Sequence, residues 1–131
     1  MIVDTSAIIA ILKGEPEQEA FARAIVDSAG ARMAAATFLE AAVVVDGLGD
    51  PVKSRRLDEL IQALGIEIVD TTVEHASIAR AAYHDFGKGS GHAAQLNFGD
   101  CFAYALATAT GEPLLFKGDD FIHTDLRPAL K

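Results

Sequence analysis

Short aliphatic runs alternate with helix-period stripes along the whole chain, and few folds accept that alternation. Ile2 and Val3 open as a strand, and Ile8, Ile9, Ile11 and Leu12 then fall in a short helix closed by Gly14 and Pro16. Phe21, Ala24 and Ile25 give the next helix one apolar stripe. Residues 32–36 read as a weak strand, because Ala is a poor strand former. Phe38, Ala41, Ala42 and Val45 recur at helical spacing up to Gly47 and Gly49. Pro51 starts a helix that puts Leu57, Leu60, Ile61 and Leu64 on one face and stops at Gly65. Residues 66–69 form a clear strand, and a helix over 71–83 is expected to turn Val73, Ala76, Ala79, Ala82 and Tyr83 inward. Residues 85–97, with Gly87, Gly89 and Gly91, make the one long loop, a kind of segment that is commonly functional. Phe98, Cys101, Phe102, Ala105, Leu106 and Ala109 form the best helical stripe, and residues 114–116 are the last strand. This order predicts an α/β fold, a parallel sheet with helices on both faces.

A chain of 131 residues is expected to be a single domain spanning 1–131. Half the residues are hydrophobic and only 7% aromatic, which suits close helix–sheet contacts and argues against disorder. No apolar run approaches the roughly 18–20 residues of a membrane span. Asp4 falls too early for a cleaved signal peptide, so the expected location is cytoplasmic. Cys101 is the only cysteine, which excludes an internal disulfide and a cysteine-based zinc site. The net charge of −8 is the wrong sign for simple phosphate affinity. Either the acidity serves a metal site and a basic partner, or nucleic acid is not the ligand.

Acidic residues punctuate the element ends. Asp4 follows the first strand, Glu40 and Asp100 fall near helix starts, and Asp119 and Asp120 lie just past the last strand. The carboxyl ends of strands are where an open α/β sheet gathers ligands. Carboxylates brought together there repel, and protonation, a cationic partner or a divalent metal must compensate. Each acid also has an ordinary explanation. Asp4 suits an N-cap, and Asp70 repeats the same strand–Asp–Thr–helix pattern, so one of the two can be catalytic and the other only a cap. Glu40 stands three residues after Thr37, as a capping-box partner would. Asp100 is favoured by the helix dipole, yet its flanks are apolar enough that its carboxylate needs a designated partner. Asp119 and Asp120 cannot point the same way in extended backbone, so one reaches the sheet edge and the other stays solvated.

Taken together, the chain resembles the PIN-domain ribonucleases, and more closely the VapC toxins of bacterial toxin–antitoxin pairs. The resemblance is carried by Met1 to Ala7, by Thr37 to Glu40, and by Gly87 to His92 leading into Leu96, Asn97, Phe98, Gly99, Asp100, Cys101, Phe102, Ala103, Tyr104 and Ala105. Leu114 to Phe121 completes it. It implies a mainly parallel sheet of about five strands with an acidic pocket at its carboxyl edge. It also implies catalytic roles for Asp4, Glu40, Asp100 and Asp119, with Asp120 as the rival for the fourth place. Thr5 and Ser6 are candidate supporting hydroxyls, and Asp70 matches no family acid and is assigned to capping.

The resemblance further implies hydrolysis of RNA by a Mg²⁺-activated water, leaving a 5′-phosphate and a 3′-hydroxyl. Asp4, Asp100 and Asp119 are the expected metal-facing acids, with Glu40 ligating through water or orienting the nucleophile. Mg²⁺ takes hard oxygen ligands and keeps several waters, and Mn²⁺ is expected to substitute. Lys88, His92 and Lys117, with Arg80 less securely, are candidate phosphate contacts. The implied partners are RNA, a VapB-like antitoxin whose basic tail enters the pocket, and a second copy in a homodimer or a larger antitoxin complex. His75, His84 and His123 show no metal-ligand spacing. The rivals are a PIN fold that binds without cutting and a receiver-type phospho-acceptor domain. A receiver needs an acidic pair after the first strand, where Thr5 and Ser6 stand. A haloacid-dehalogenase-type phosphatase needs an aspartate where Ser6 stands.

Overall fold

The computed structural model describes residues 1–130. Ten elements follow one another: β1 (Ile2–Val3), α1 (Thr5–Leu12), α2 (Gln18–Asp27), β2 (Ala31–Ala34), α3 (Ala35–Asp46), α4 (Pro51–Ala63), β3 (Ile66–Val69), α5 (Val73–Phe86), α6 (Asp100–Thr110) and β4 (Leu114–Leu115). The strands pair in the order β3-β2-β1-β4, and every pairing is parallel. The expected α/β sheet is present with four strands among the described residues, not five. Beyond β4 the chain returns only as a single bridge between Leu114 and Pro128. Arg127 accepts from Leu114 N and Ala129 donates back to Leu114 O. Pro128, between them, has no N–H to extend a ladder.

Side-chain alternation divides the core. Val3, Met33 and Leu115 face a cluster with Ile8, Ile11, Phe21, Val45 and Leu57, contributed by α1 to α4. Ile2, Ala34 and Leu114 face the opposite cluster, built on Cys101, Ala103, Leu106 and Ala107 of α6 with Ala79 and Ala82 of α5. Period-two alternation along each strand is what sends neighbours to opposite faces. Small residues on α6 let that helix lie close on the sheet.

Two expected stripes change. Val73 is 86% exposed and Tyr83 half-exposed, so α5 turns only Ala79 and Ala82 fully inward. Phe98 precedes α6 and is 75% exposed, while α6 is buried at every position from 103 to 107. Sandwiched between sheet and α5, α6 buries most of its circumference, so a one-face reading underestimates it. The strand expected at 32–36 runs instead from 31 to 34. Ala35 and Ala36 join α3, as befits the strongest helix former.

The crossovers β1–β2 and β2–β3 run through α1 to α4 on one face, and β3–β4 runs through α5 and α6 on the other. The direction of winding therefore reverses between β1 and β4. Open parallel sheets bind ligands in the crevice such a switch leaves at the carboxyl edge.

Candidate active site

Asp4 stands at that crevice. Its backbone N–H donates to Leu115 O of β4 at 3.0 Å, locking the residue between β1 and β4. Its side chain caps α1: Oδ2 accepts from Ser6 N at 3.0 Å and from Ser6 Oγ at 2.7 Å. Ser6 Oγ in turn accepts from Lys117 N at 2.9 Å, tying the cap to the segment after β4. Oδ1 is buried and has no partner. A buried carboxylate oxygen without a donor is costly. Burial pushes the Asp4 carboxyl up to about 6, against the Ser6 hydrogen bonds that hold it down and with the charge of Glu40 adding to the rise.

Asp100 begins α6 and is also buried. Asn97 and Asp100 cap one another: Asp100 N donates to Asn97 Oδ1 at 2.8 Å, and Asn97 N donates to Asp100 Oδ2 at 3.0 Å. Burial raises the Asp100 carboxyl to about 7, opposed by the Asn97 hydrogen bond and reinforced by the charges of Asp4 and Asp120. The charge of Asp120 thus reaches Asp100, while Asp119 and Asp120 are both exposed.

Glu40 lies on α3, half-buried. The capping-box explanation fails, because α3 starts at Ala35, two residues before Thr37, and has no side-chain cap. Thr37 is fully buried, and its hydroxyl has no partner. Glu40 Oε1 instead accepts from Thr5 Oγ1 at 2.5 Å, a hydroxyl one residue from Asp4. The other oxygen, Oε2, lies against Gly99, 1.6 Å from where a Cβ on that residue would stand. Thr5 and Ser6 thus both serve the acids, Thr5 through Glu40 and Ser6 through Asp4.

Asp70 is exposed and is not a cap. That role belongs to Thr72, which accepts from His75 N at 3.1 Å, while His75 Nδ1 accepts from Thr72 N at 3.4 Å. Lys117, an expected phosphate contact, is engaged within the chain. Its ammonium is held by Glu15 at 2.6 Å and Glu17 at 3.1 Å, which raise its pKa through those hydrogen bonds. His92 works inside its loop, with Nδ1 accepting from Ala94 N at 3.1 Å and its ring set edge-on against Phe86. Lys88 is exposed, and Arg80 lines an apolar groove with Tyr83, Phe98 and Phe102.

Asn97 and Gly99 received no separate role from the sequence. An Asn three residues before an Asp at a helix start is a capping signature and could have been found. Nothing in the sequence announces the approach of Glu40 to Gly99.

The site thus gathers Asp4, Glu40, Asp100 and Asp120, an all-oxygen donor set. Among the described residues, no three His, Cys, Asp or Glu side chains stand at metal-binding spacing. Mg²⁺ nevertheless needs only one or two carboxylates beside water and substrate oxygens. The unpartnered Asp4 Oδ1 and the mutual repulsion around Asp100 fit such a cation.

The fold and this acidic crevice define an α/β protein of the PIN type. The family model of the PIN domain matches residues 1–126. The chain is 54% identical over 130 residues to Ribonuclease VapC28 of Mycobacterium tuberculosis, covering 99% of this chain and 98% of the relative. The crystal structure of VapC20 from the same organism, a sarcin-ricin loop cleaving toxin, has a similar fold. Its TM-score is 0.73 at 12% identity, with 95% of each chain covered. A toxin–antitoxin complex from Klebsiella pneumoniae is similar at TM-score 0.69 and 16% identity, covering 92% of this chain and 89% of that one. The chain belongs to the PIN-domain family.

Proposed function

We propose that this protein is a metal-dependent endoribonuclease acting as the toxin of a toxin–antitoxin pair. The observation that carries the reading is Asp4: buried, with one oxygen unpartnered, and in electrostatic reach of Glu40 and Asp100. Its 54% identity to a named ribonuclease over nearly the whole chain gives the chemistry its direction.

Asp4 Oδ1, Asp100 and Asp120 would hold Mg²⁺, with Asp120 taking the place the sequence assigned to Asp119. When bound, Mg²⁺ supplies an acidified water and offsets charge on the scissile phosphate. Thr5 fixes Glu40 so that its carboxylate orients the attacking water or takes its proton. Ser6 holds the other oxygen of Asp4. The Asn97 cap keeps Asp100 at the mouth of the crevice.

Lys88 is exposed in the loop that leads to Asp100 and serves RNA phosphate. The net charge of −8 suits a basic segment of a VapB-like antitoxin, and the similarity to a toxin–antitoxin complex supports such a partner. No described helix is long and apolar enough to cross a membrane. A homodimer acting in the cytoplasm completes the proposal.

The second reading, a PIN fold that binds without cutting, draws on the finding that among the described residues no three His, Cys, Asp or Glu side chains stand at metal-binding spacing. Incubating purified, antitoxin-free protein with end-labelled structured RNA separates the two. Cutting with Mg²⁺ or Mn²⁺, abolished by chelator and leaving 5′-phosphate ends, is the expected result. Folded protein that binds RNA but cuts none with either metal would sink the nuclease in favour of the binding module.

A further inference from the structure

The approach of Glu40 to Gly99 has no backbone explanation. Gly99 has φ −65° and ψ −37°, a right-handed helical conformation open to any residue. Ala adopts that conformation without strain, and the general preference of helix N-caps for glycine over alanine belongs to caps with extended backbone, which Gly99 does not have. Glycine here is therefore not answering a turn. The three nearest heavy atoms to an added Cβ all belong to the Glu40 carboxylate, at 1.6, 2.4 and 2.9 Å.

We infer that Gly99 is a positioning residue for Glu40: its missing side chain makes the space in which the carboxylate lies beside the start of α6. Thr5 fixes Oε1 from one side, and the bare backbone of Gly99 admits Oε2. The nearest atoms a methyl group at 99 meets are the flexible end of a side chain. The fold accommodates it by moving Glu40, and the carboxylate leaves Thr5 and the neighbourhood of Asp4. The role of Glu40 in cleavage rests on the nuclease proposal; its contact with Gly99 does not.

The test is a double-mutant cycle of parent, Gly99→Ala, Glu40→Ala and the double variant, read by thermal unfolding in chelator, by Mn²⁺ binding in the absence of RNA, and by RNA cleavage. Gly99→Ala is expected to keep the parent's circular dichroism. It should lower kcat and Mn²⁺ affinity each by about 10–100-fold, the usual loss when the support of a metal-site group is removed. KM should change less. In the Glu40→Ala background the same methyl should cost no further activity or affinity and should raise Tm. A Gly99→Ala protein that unfolds but is restored by Glu40→Ala carries the same meaning. An equal Tm change in both backgrounds, or unfolding in both, overturns the inference, as does parental cleavage by Gly99→Ala. If the parent itself cuts no RNA, the nuclease reading has failed, and coupling in Tm still decides the role of Gly99.

Discussion

Asp4–Thr5–Ser6 and Asp70–Thr71–Thr72 occupy equivalent places in the local pattern, each after a short aliphatic strand and before a helix. Their fates differ. Asp4 caps α1 with one oxygen and leaves the other buried in the acidic crevice, whereas Asp70 is exposed and yields the capping role to Thr72. The cause is the position of the strand. β1 is central, with Ile2 and Val3 both fully buried, and β3 is an edge on which Glu67 and Ile68 are exposed. A similar tripeptide signal enters the acidic crevice only where strands flank it on both sides and the winding reverses.

The most forceful way to break that contrast is by charge removal. Asp4→Asn should reduce metal-dependent RNA cleavage by at least about 100-fold, in line with losing a group that stabilises the transition state. Asp70→Asn should stay within about twofold of the parent. Initial rates on labelled RNA decide it, and equal losses would erase the distinction.

The next effect is on stability without metal. Both Asp4 and Asp100 have carboxyls raised from the ordinary 3.8, to about 6 and about 7. A raised acid favours the fold when protonated. That contribution is fully present below about 3.8 and is lost as the pH climbs through 6 and 7. In chelator, Tm should therefore fall between pH 5 and pH 8. Asp4→Asn should flatten this dependence and recover on the order of 2–3 kcal/mol at pH 8. Asp70→Asn should leave the slope alone. A parent whose Tm rises over this range would show that the acids are not desolvated.

Removing caps sharpens the comparison further. Thr72→Ala should cost about 1 kcal/mol of stability with cleavage unchanged. Ser6→Ala should cost a similar amount and also slow cleavage by about tenfold, because Ser6 supports an acid as well as a helix. Chemical denaturation paired with cleavage rates resolves the two.

The smallest difference concerns lysines. Lys117→Ala should change stability little, in a salt-dependent manner, and leave RNA affinity unaltered. Lys88→Ala should weaken RNA binding severalfold and reduce its salt dependence by about one phosphate contact. Binding titrations at several salt concentrations, using a non-cleaving variant, measure both.

Much of the fold was legible because helix and strand periods differ and because the breakers stand where they should. Pro51 with Asp50 opens α4, Gly65 follows it in the left-handed conformation, and β3 runs over the residues expected. The misreadings share a cause. Thr37 looked like a cap because capping is a local pattern, but Ala35 and Ala36 extend the helix past it. Val73 looked buried because a stripe does not say how much of a helix its neighbours cover. Lys117 looked free because sequence distance hides Glu15 and Glu17, which the return of β4 beside β1 brings to it.

By itself, the sequence determined that strands and helices alternate, that the sheet is parallel, and that acids stand at the element ends. Those properties follow from local periodicity and from residue types whose backbone preferences act over a few positions. Tertiary structure alone decided which acids meet. Asp120 comes within reach of the charge of Asp100, Thr5 rather than Thr37 holds Glu40, and Gly99 leaves room for a carboxylate from a helix some sixty residues away in sequence. Those choices depend on strand order and on the close approach of α3 and α6 across the sheet edge. Burial and charge repulsion are properties of that arrangement, and no single segment carries them.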